Sequence, residues 1–263
     1  MSNPPRKTVL AAVAHPDDIE FLFAGTLLLL QEAGCSIHMW NLADGSCGSF
    51  DLSASETVRI RAEEAGRAAA LAKAQIHPAL FPDLGVFYDK PSLAAVSAKV
   101  REIRPQIILT HSPSDYMEDH QNVCRLMTTA AFSRHMPNFR TNPEVTPYAE
   151  PVRIYHAPPH GLRDQLCEPF QADFLCEIGS VMDRKRDMLS CHRSQFRWLE
   201  SSQSMDSPVA EMERMCREIA GWGDGLEFAE AWRRHSHLGF CAPDFDPLPE
   251  LLGNHLRNPK QHC

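Results

Sequence analysis

The chain alternates between short apolar runs and segments with helical spacing from near its start to about residue 135. Continuous runs of valine, isoleucine and leucine are typical of parallel strands that are buried on both faces. Strands are predicted over 8–14, 36–42, 76–81, 106–110 and 152–156. Helices are predicted between them over 19–33, 56–74, 91–104 and 119–135. This order of elements predicts an α/β fold with a mostly parallel sheet flanked by helices.

The second part of the chain has a different pattern. Segments 183–198 and 209–219 have helical spacing, and the sequence from 242 onwards is rich in proline. No repeat or clean linker separates this part from the first. We therefore predict a single domain over 1–263, with a Rossmann-like core over 8–160 and a helical C-terminal extension over 161–263.

Composition and charge narrow the possible functions. Of the 263 residues, 43% are apolar and 23% are charged, which excludes disorder, a coiled coil and a small disulfide scaffold. The net charge of −8, without a lysine or arginine cluster, makes nucleic acid an unexpected partner. The apolar stretch 21–30 is too short to span a bilayer, and the N-terminus lacks a secretory signal pattern. Nine separate cysteines without a C-x-x-C pair indicate reduced thiols, so we expect a cytoplasmic protein.

Two polar segments stand directly after predicted strands. Residues 14–18 follow the first strand, and residues 110–120 follow the fourth. In a doubly wound sheet of order 3-2-1-4-5, the carboxyl ends of strands one and four flank the point where the strand order reverses, and ligands bind there. We therefore expect the two segments to meet in one crevice.

The side chains of these segments suggest a metal site. His15, Asp18 and His120 supply two imidazoles and a carboxylate, a set that suits Zn²⁺ with a fourth position left for water. Asp17 would take the proton of that water as a general base, which gives metal-assisted hydrolysis. Two other interpretations stay open: the His₂/Asp site of Fe(II) oxygenases, and a metal-binding protein with lost or altered turnover. A second aspartate beside the ligand has an obvious role only in hydrolysis.

These motifs carry a family resemblance. His15-Pro16-Asp17-Asp18 after a buried strand, followed later by Asp119-His120, resembles the PIG-L/LmbE-like N-deacetylases. The resemblance implies a zinc-dependent hydrolase that removes the acetyl group of a small-molecule substrate, an N-acetylglucosamine-type sugar or glycoconjugate. It implies the same three metal ligands and the same general base, and a homo-oligomer such as a trimer or hexamer. Fe²⁺ or another divalent ion would suit the same ligands.

The resemblance continues to about residue 232. Asp44-Gly45-Ser46 resembles the family's glycine turn after the second strand, and Arg61-x-x-Glu64-Ala65 resembles its Arg-x-x-Glu helix. Both Asp44 and Arg61 are therefore expected to bind substrate. His192-Arg193-Ser194-Gln195 resembles a late His-x-Ser-Gln motif, and residues 228–232 resemble a closing aromatic-Ala-Glu-Ala-aromatic segment.

One position departs from the family pattern. Where many relatives have His-x-Asp-His, this chain has Met117, whose thioether cannot donate a proton or a strong hydrogen bond. We expect His192 to supply the missing catalytic imidazole, with His111 as the fallback. His111 and Asp119 are also expected to orient the metal ligands by contacting them without binding the metal themselves.

Overall fold

The computed structural model describes residues 6–203 and 207–260, and within them eight strands form a sheet in the order β3-β2-β1-β4-β5-β7-β6-β8. The strands are β1 (Thr8–Val13), β2 (Ser36–Asn41), β3 (Gln75–His77), β4 (Ile107–Thr110), β5 (Arg153–His156), β6 (Phe174–Glu177), β7 (Ala229–Arg234) and β8 (Leu256–Arg257). The first five strands pair in parallel in the spatial order β3-β2-β1-β4-β5. This order confirms the expected α/β topology. The carboxyl ends of β1 and β4 therefore lie side by side where the strand order reverses.

Helices cover both faces of the sheet. They are α1 (Asp18–Leu22), α2 (Ala24–Glu32), α3 (Ala54–Leu71), α4 (Lys90–Ile103), α5 (Glu118–Ser133), α6 (Met182–Leu189), α7 (Arg193–Gln203), α8 (Pro208–Gly221) and α9 (Pro247–Leu252). The helix predicted over 19–33 is instead divided into α1 and α2, because Phe23 has the non-helical dihedrals φ −152° and ψ 21°. Among the described residues, no helix has the length and apolar content needed to cross a membrane.

The two faces of the sheet carry separate apolar layers. Val9, Ala11 and Val13 of β1 belong to the layer formed with α2, α6 and α8, whereas Leu10 and Ala12 belong to the layer formed with α4 and α5. Successive side chains of a strand point to opposite faces, so a strand covered on both sides needs apolar residues throughout. This explains the uninterrupted apolar run of β1 in the sequence.

The second part of the chain extends the sheet with antiparallel strands, which the hydrophobic pattern did not predict. β7 pairs with β5 and β6, and β6 pairs with β8. Glu230 in β7 interrupts the apolar pattern, but its carboxylate is buried and lies 2.5 Å from Lys185 Nζ. It also accepts hydrogen bonds from the Gly25 and Thr26 N–H groups, at 2.8 and 2.6 Å, in the first turn of α2. The C-terminal extension is therefore mixed rather than purely helical.

Candidate active site

The two polar segments meet at the carboxyl ends of β1 and β4, where they border a cavity of about 370 Å³. Part of the wall is acidic and basic, and much of the remainder is apolar or aromatic. The lining residues are His15, Asp17, Asp18, Phe21, Leu22, Cys47, Gly48, Arg61, Asp83, Leu84, Tyr116, Met117, His120, His160, Gln195, Trp198 and Leu199. A concave, mostly apolar cavity with a few convergent polar groups is the usual form of a small-molecule site.

Three of the lining side chains form a compact donor group. The ligand atoms of His15, Asp18 and His120 all lie within 4.8 Å of one another. Asp18 Oδ2 is 3.5 Å from His15 Nδ1 and 3.5 Å from His120 Nε2. His120 Nε2 is buried and has no hydrogen-bond partner among the described residues. Two imidazoles and a carboxylate at this spacing fit a divalent metal ion, which would satisfy the unpartnered nitrogen.

The charges around this donor group favour a cation. Burial by itself would lower the pKa of His15, but Asp119 and Asp18 raise that pKa to about 10. Burial would raise the pKa of Asp18, but His120 and His111 lower it well below its usual range. The carboxylates therefore stabilise an added positive charge at this position, which can be a proton or a metal ion.

A second His/Asp group shares His120 with the first. His111, Asp115 and His120 also have donor atoms within 4.8 Å, but neither His111 nor Asp115 lines the cavity. Asp115 Oδ1 is 3.1 Å from His120 Nδ1, on the ring edge away from Asp18. The His111 ring stacks on the His120 ring with 4.0 Å between centroids, and its Nε2 accepts a hydrogen bond from Ala14 N–H. These contacts fix the orientation of the His120 ring.

Two carboxylates approach His15, one from the loop after β3 and one from the first turn of α5. Asp119 Oδ2 is 3.3 Å from His15 Nε2 and accepts a hydrogen bond from Leu84 N–H at 2.7 Å. Asp119 thus lies where a residue that orients His15 would lie. Asp83 Oδ1 is 4.0 Å from the same nitrogen and was missed in the sequence. The proline and glycine of the turn over 82–85 were the signal that could have drawn attention to it.

Asp17 has an unusual backbone conformation at the start of α1. Its φ of +114° lies in the left-handed region, which costs a non-glycine residue about 1–3 kcal/mol and is found mostly at functional sites. Its carboxylate oxygen Oδ2 is 3.3 Å from Arg61 Nη2. Burial raises the pKa of Asp17 to about 6, an effect that Arg61 opposes and Asp18 reinforces. The carboxylate is therefore ionised at neutral pH and more basic than a free aspartate.

Arg61, on α3, holds the turns after β1 and β2 together. Its Nη2 donates to the Pro16 carbonyl at 2.5 Å, and its Nη1 donates to the Gly45 carbonyl at 3.3 Å. A Cβ at Gly45 would lie 2.5 Å from Arg61 Cδ, and a Cβ at Gly48 would lie 2.9 Å from Nη1. The glycines of this turn therefore leave room for the guanidinium, which lines the cavity; that it binds substrate stays a prediction.

Asp44 does not line the cavity, and its role in binding substrate stays a prediction. Its Oδ1 accepts hydrogen bonds from Ser46 N–H at 2.9 Å and from Asp83 N–H at 3.3 Å. Aspartate at the start of a tight turn commonly bonds to the backbone in this way. Its carboxylate shapes the loop that carries Gly45 and Gly48.

His192 is also placed differently from the expectation. It is fully buried, does not line the cavity, and has its Nε2 3.4 Å from Glu20 Oε2. His192 lies in the turn between α6 and α7, where its backbone N–H donates to the Leu189 carbonyl at 3.0 Å. Gln195 and Trp198 of the following helix line the cavity instead.

Aromatic residues that no motif marked complete the wall. Tyr116 lies between two histidines, with its ring centroid 5.7 Å from that of His120 and 6.3 Å from that of His160. The Phe21 ring packs edge-on against His160 at 5.2 Å. His160 belongs to the turn after β5 and was not singled out in the sequence. Only the pairing of β5 with β4 brings it to the site.

Comparison with known proteins agrees with this architecture. The PIG-L family model, described as GlcNAc-PI de-N-acetylase, matches residues 10–131 and confirms the family resemblance. The 4-oxalmesaconate hydratase of Pseudomonas putida KT2440 is 29% identical over 204 residues, which cover 73% of this chain and 76% of that protein.

Two solved structures share the fold. The N,N'-diacetylchitobiose deacetylase of Pyrococcus horikoshii has a TM-score of 0.76 at 21% identity, covering 93% of this chain and 89% of that one. GalB, the 4-carboxy-2-hydroxymuconate hydratase of Pseudomonas putida KT2440, has a TM-score of 0.70 at 21% identity, covering 88% and 96%. At these identities the likeness establishes the fold, which hosts both a deacetylase and a hydratase.

Proposed function

Because residues 10–131 of this chain belong to the PIG-L family, we propose that the protein is a metal-dependent N-deacetylase. Its substrate is an N-acetylglucosamine-type sugar or glycoconjugate, and its products are acetate and the free amine. The observation that carries the proposal is the partly buried Asp17 carboxylate, which Arg61 holds beside the donor group of His15, Asp18 and His120. Amide hydrolysis assisted by a metal ion needs a base next to the ligands.

The residues present fit a bound divalent ion. His15, Asp18 and His120 would hold it, while Asp115 would keep His120 in position. When bound, the ion would supply a Lewis acid that polarises the acetamide carbonyl and increases the acidity of water. We propose Zn²⁺ for this ligand set, with Fe²⁺ or another divalent ion as a possible substitute.

Asp17 accepts the proton of the attacking water. Its carboxylate is ionised at neutral pH because the pKa, although raised, is about 6. The contact between Arg61 Nη2 and Asp17 Oδ2 fixes the direction of this carboxylate. The adjacent aspartates thus have separate partners, since Asp18 contacts the imidazoles of His15 and His120.

The remaining wall suits the sugar part of the substrate. Phe21, Tyr116 and Trp198 present aromatic surface, against which the C–H face of a sugar ring can pack. A cavity of about 370 Å³ is at the small end of ligand sites and accommodates one amino-sugar ring. Gln195 and Trp198 come from the C-terminal extension, so we propose that residues 8–160 and 161–263 act as one catalytic domain.

A hydratase is the second candidate, because the Pseudomonas putida relative with 29% identity is one. The substrate in that protein's name is a carboxylic acid, and carboxylates are bound most strongly by arginine and lysine. Among the described lining side chains, Arg61 is the one guanidinium or ammonium group, and both of its Nη atoms already contact protein oxygens. Asp17, Asp18 and Asp83 line the same cavity, which favours a neutral acetamide.

The test is to load the purified protein with Zn²⁺ and assay it, under nitrogen, on a panel of N-acetylated amino sugars and on 4-carboxy-2-hydroxymuconate. We expect acetate and a primary amine from at least one acetamide, and no water adduct of the acid. Asp17→Asn should lower the rate of acetate release by about 10²–10⁴-fold, whereas His135→Ala, at an exposed histidine outside the cavity, should leave it unchanged. Hydration of the acid without acetate release from any acetamide would show that the protein is a hydratase. Turnover that appears only when the assay is repeated in air with the Fe²⁺-loaded protein would support the oxygenase interpretation.

A further inference from the structure

The cavity lacks a proton donor at the position where the family resemblance expects a histidine. Met117 lines the cavity there, as the residue before α5, and its thioether has no proton to give. His192 lies outside the cavity wall, with its Nε2 3.4 Å from Glu20 Oε2. An amine that leaves an acetamide must nevertheless be protonated.

His160 is placed to supply that proton. It lines the cavity from the short turn His160–Leu162, which is set by Pro159 before it and by Gly161 with φ +78°. Its Nε2 is buried, has no hydrogen bond within the described residues, and lies 3.6 Å from Glu211 Oε1.

We propose that His160, oriented by Glu211, is the catalytic acid that protonates the departing amine. The proposal rests on the proposed function, because it assigns a step of amide hydrolysis. The chemical requirement is an imidazole that faces the substrate with one nitrogen while a carboxylate holds the other. Nε2 faces Glu211, which leaves Nδ1 for the substrate.

Water gives one proton to the Asp17 carboxylate, and the water oxygen forms a bond to the acetyl carbon. The carbon–nitrogen bond breaks, its electron pair goes to nitrogen, and that nitrogen takes the proton from His160 Nδ1. Asp17 then releases its proton, and His160 regains one from solvent. The acetic acid that forms then loses its proton and the free amine takes one up, so the net reaction converts an acetamide and water into acetate and an ammonium ion.

Glu211 is a positioning residue, held on the first turn of α8. Its two carboxylate oxygens accept hydrogen bonds from Arg214 Nη2 at 2.6 Å and Arg214 Nε at 2.8 Å. Burial lowers the pKa of His160, with Arg214 and His120 acting in the same direction, while the Glu211 carboxylate and Asp115 oppose this shift. The packing of Phe21 against the His160 ring restricts its rotation.

Tyr116 is the alternative donor in the same wall. Its hydroxyl makes no hydrogen bond to a described residue, and the side chain is 45% exposed. Among the described residues, Tyr116 has no carboxylate partner of the kind that Glu211 provides to His160, so the geometry favours His160.

The experiment compares two substrates that differ in their need for an acid. N-acetylglucosamine, or the acetamide of the panel that reacts fastest, releases a strongly basic amine. 4-Nitrophenyl acetate releases a phenolate that needs no protonation. His160→Ala should lower kcat for the acetamide by about 10²–10⁴-fold and change kcat for the ester by no more than about threefold. Glu211→Gln should show the same selectivity with a smaller loss, while His135→Ala should change neither rate.

Metal content and thermal unfolding of each variant establish that the site and the fold are intact. Equal losses on both substrates in His160→Ala, or no loss on the acetamide, would overturn the assignment of His160. A selective loss in Tyr116→Phe without one in His160→Ala would transfer the role to Tyr116. If the wild-type protein releases acetate from no acetamide, the proposed function fails and the assignment fails with it. An active wild type with an unaffected His160→Ala variant refutes the assignment of His160 alone.

Discussion

Replacing Asp17 by asparagine tests whether Asp17 acts as the general base or as a metal ligand. Asn has the size of Asp, tolerates the left-handed backbone, and its side-chain oxygen can still accept a hydrogen bond from Arg61 Nη2, 3.3 Å away in the wild type. The variant therefore loses basicity while keeping its contacts. We expect Asp17→Asn to lower kcat by about 10²–10⁴-fold with the metal content unchanged.

The same substitution should stabilise the metal-free protein. Burial raises the pKa of Asp17 from 3.8 to about 6. One pKa unit corresponds to about 1.4 kcal/mol, so the ionised carboxylate lowers the free energy of unfolding by up to about 3 kcal/mol. The folded chain binds the proton of the Asp17 carboxyl group more tightly than the unfolded chain does. The free energy of unfolding of the wild-type protein therefore falls as the pH rises from 3.8 to about 6. The increase in the free energy of unfolding that Asp17→Asn causes should therefore be largest above that pH range and should disappear below it.

The assays are steady-state kinetics and metal analysis of the loaded protein, and urea unfolding of the chelator-treated protein across that pH range. A parallel loss of metal and activity would show that Asp17 is a ligand and would exchange its role with that of Asp18. Equal stabilities of wild type and variant at high pH would show that Arg61 fully compensates the burial of the carboxylate.

Other perturbations test the metal group, the glycine turn, the buried ion pair and acid stability. His120→Ala should lose the metal ion and keep its circular dichroism spectrum, since the sheet does not depend on the site; full metal content would contradict the ligand assignment. Gly45→Ala should destabilise the protein by about 1–3 kcal/mol in urea unfolding and lower kcat, because its φ is +77° and the new Cβ would meet Arg61 at 2.5 Å. Lys185→Ala should cost about 3–5 kcal/mol by leaving the Glu230 carboxylate buried without its partner; a loss below 1 kcal/mol would show that the helix N–H groups suffice. Burial lowers the pKa of His156 from 6.5 to about 4, so about 3 kcal/mol of stability should be lost as the pH falls through that interval. His156→Asn should flatten this slope, and identical slopes would exclude His156 as the cause.

The strands of the first half could be predicted because each is buried on both faces and must be apolar along its whole length. The connections between them are crossover helices, and right-handed crossovers leave few strand orders. The antiparallel strands of the second half were missed for a local reason. β7 carries Glu230 in its interior, and only Lys185 and the first turn of α2, distant in sequence, make that charge tolerable.

The candidate site was predicted where its residues are neighbours in sequence or follow the ends of adjacent strands. His15, Asp17 and Asp18 share one turn, and His120 follows β4, which pairs with β1. The positions of histidines in the second half could not be predicted in the same way. The turn between α6 and α7 directs His192 inward, and no sequence pattern indicates that direction.

The sequence by itself determined the parallel core, the two polar segments and the chemical types of the groups that they carry. These properties depend on alternation along a strand and on residues within one turn. The tertiary structure decided which groups face the cavity and in what state of charge. The basicity of Asp17 comes from burial, which Asp18 reinforces and Arg61 on another helix opposes, and the access of His160 comes from the pairing of β5 with β4. Desolvation and Coulomb interactions depend on distances in space, so they are set only when remote segments pack together.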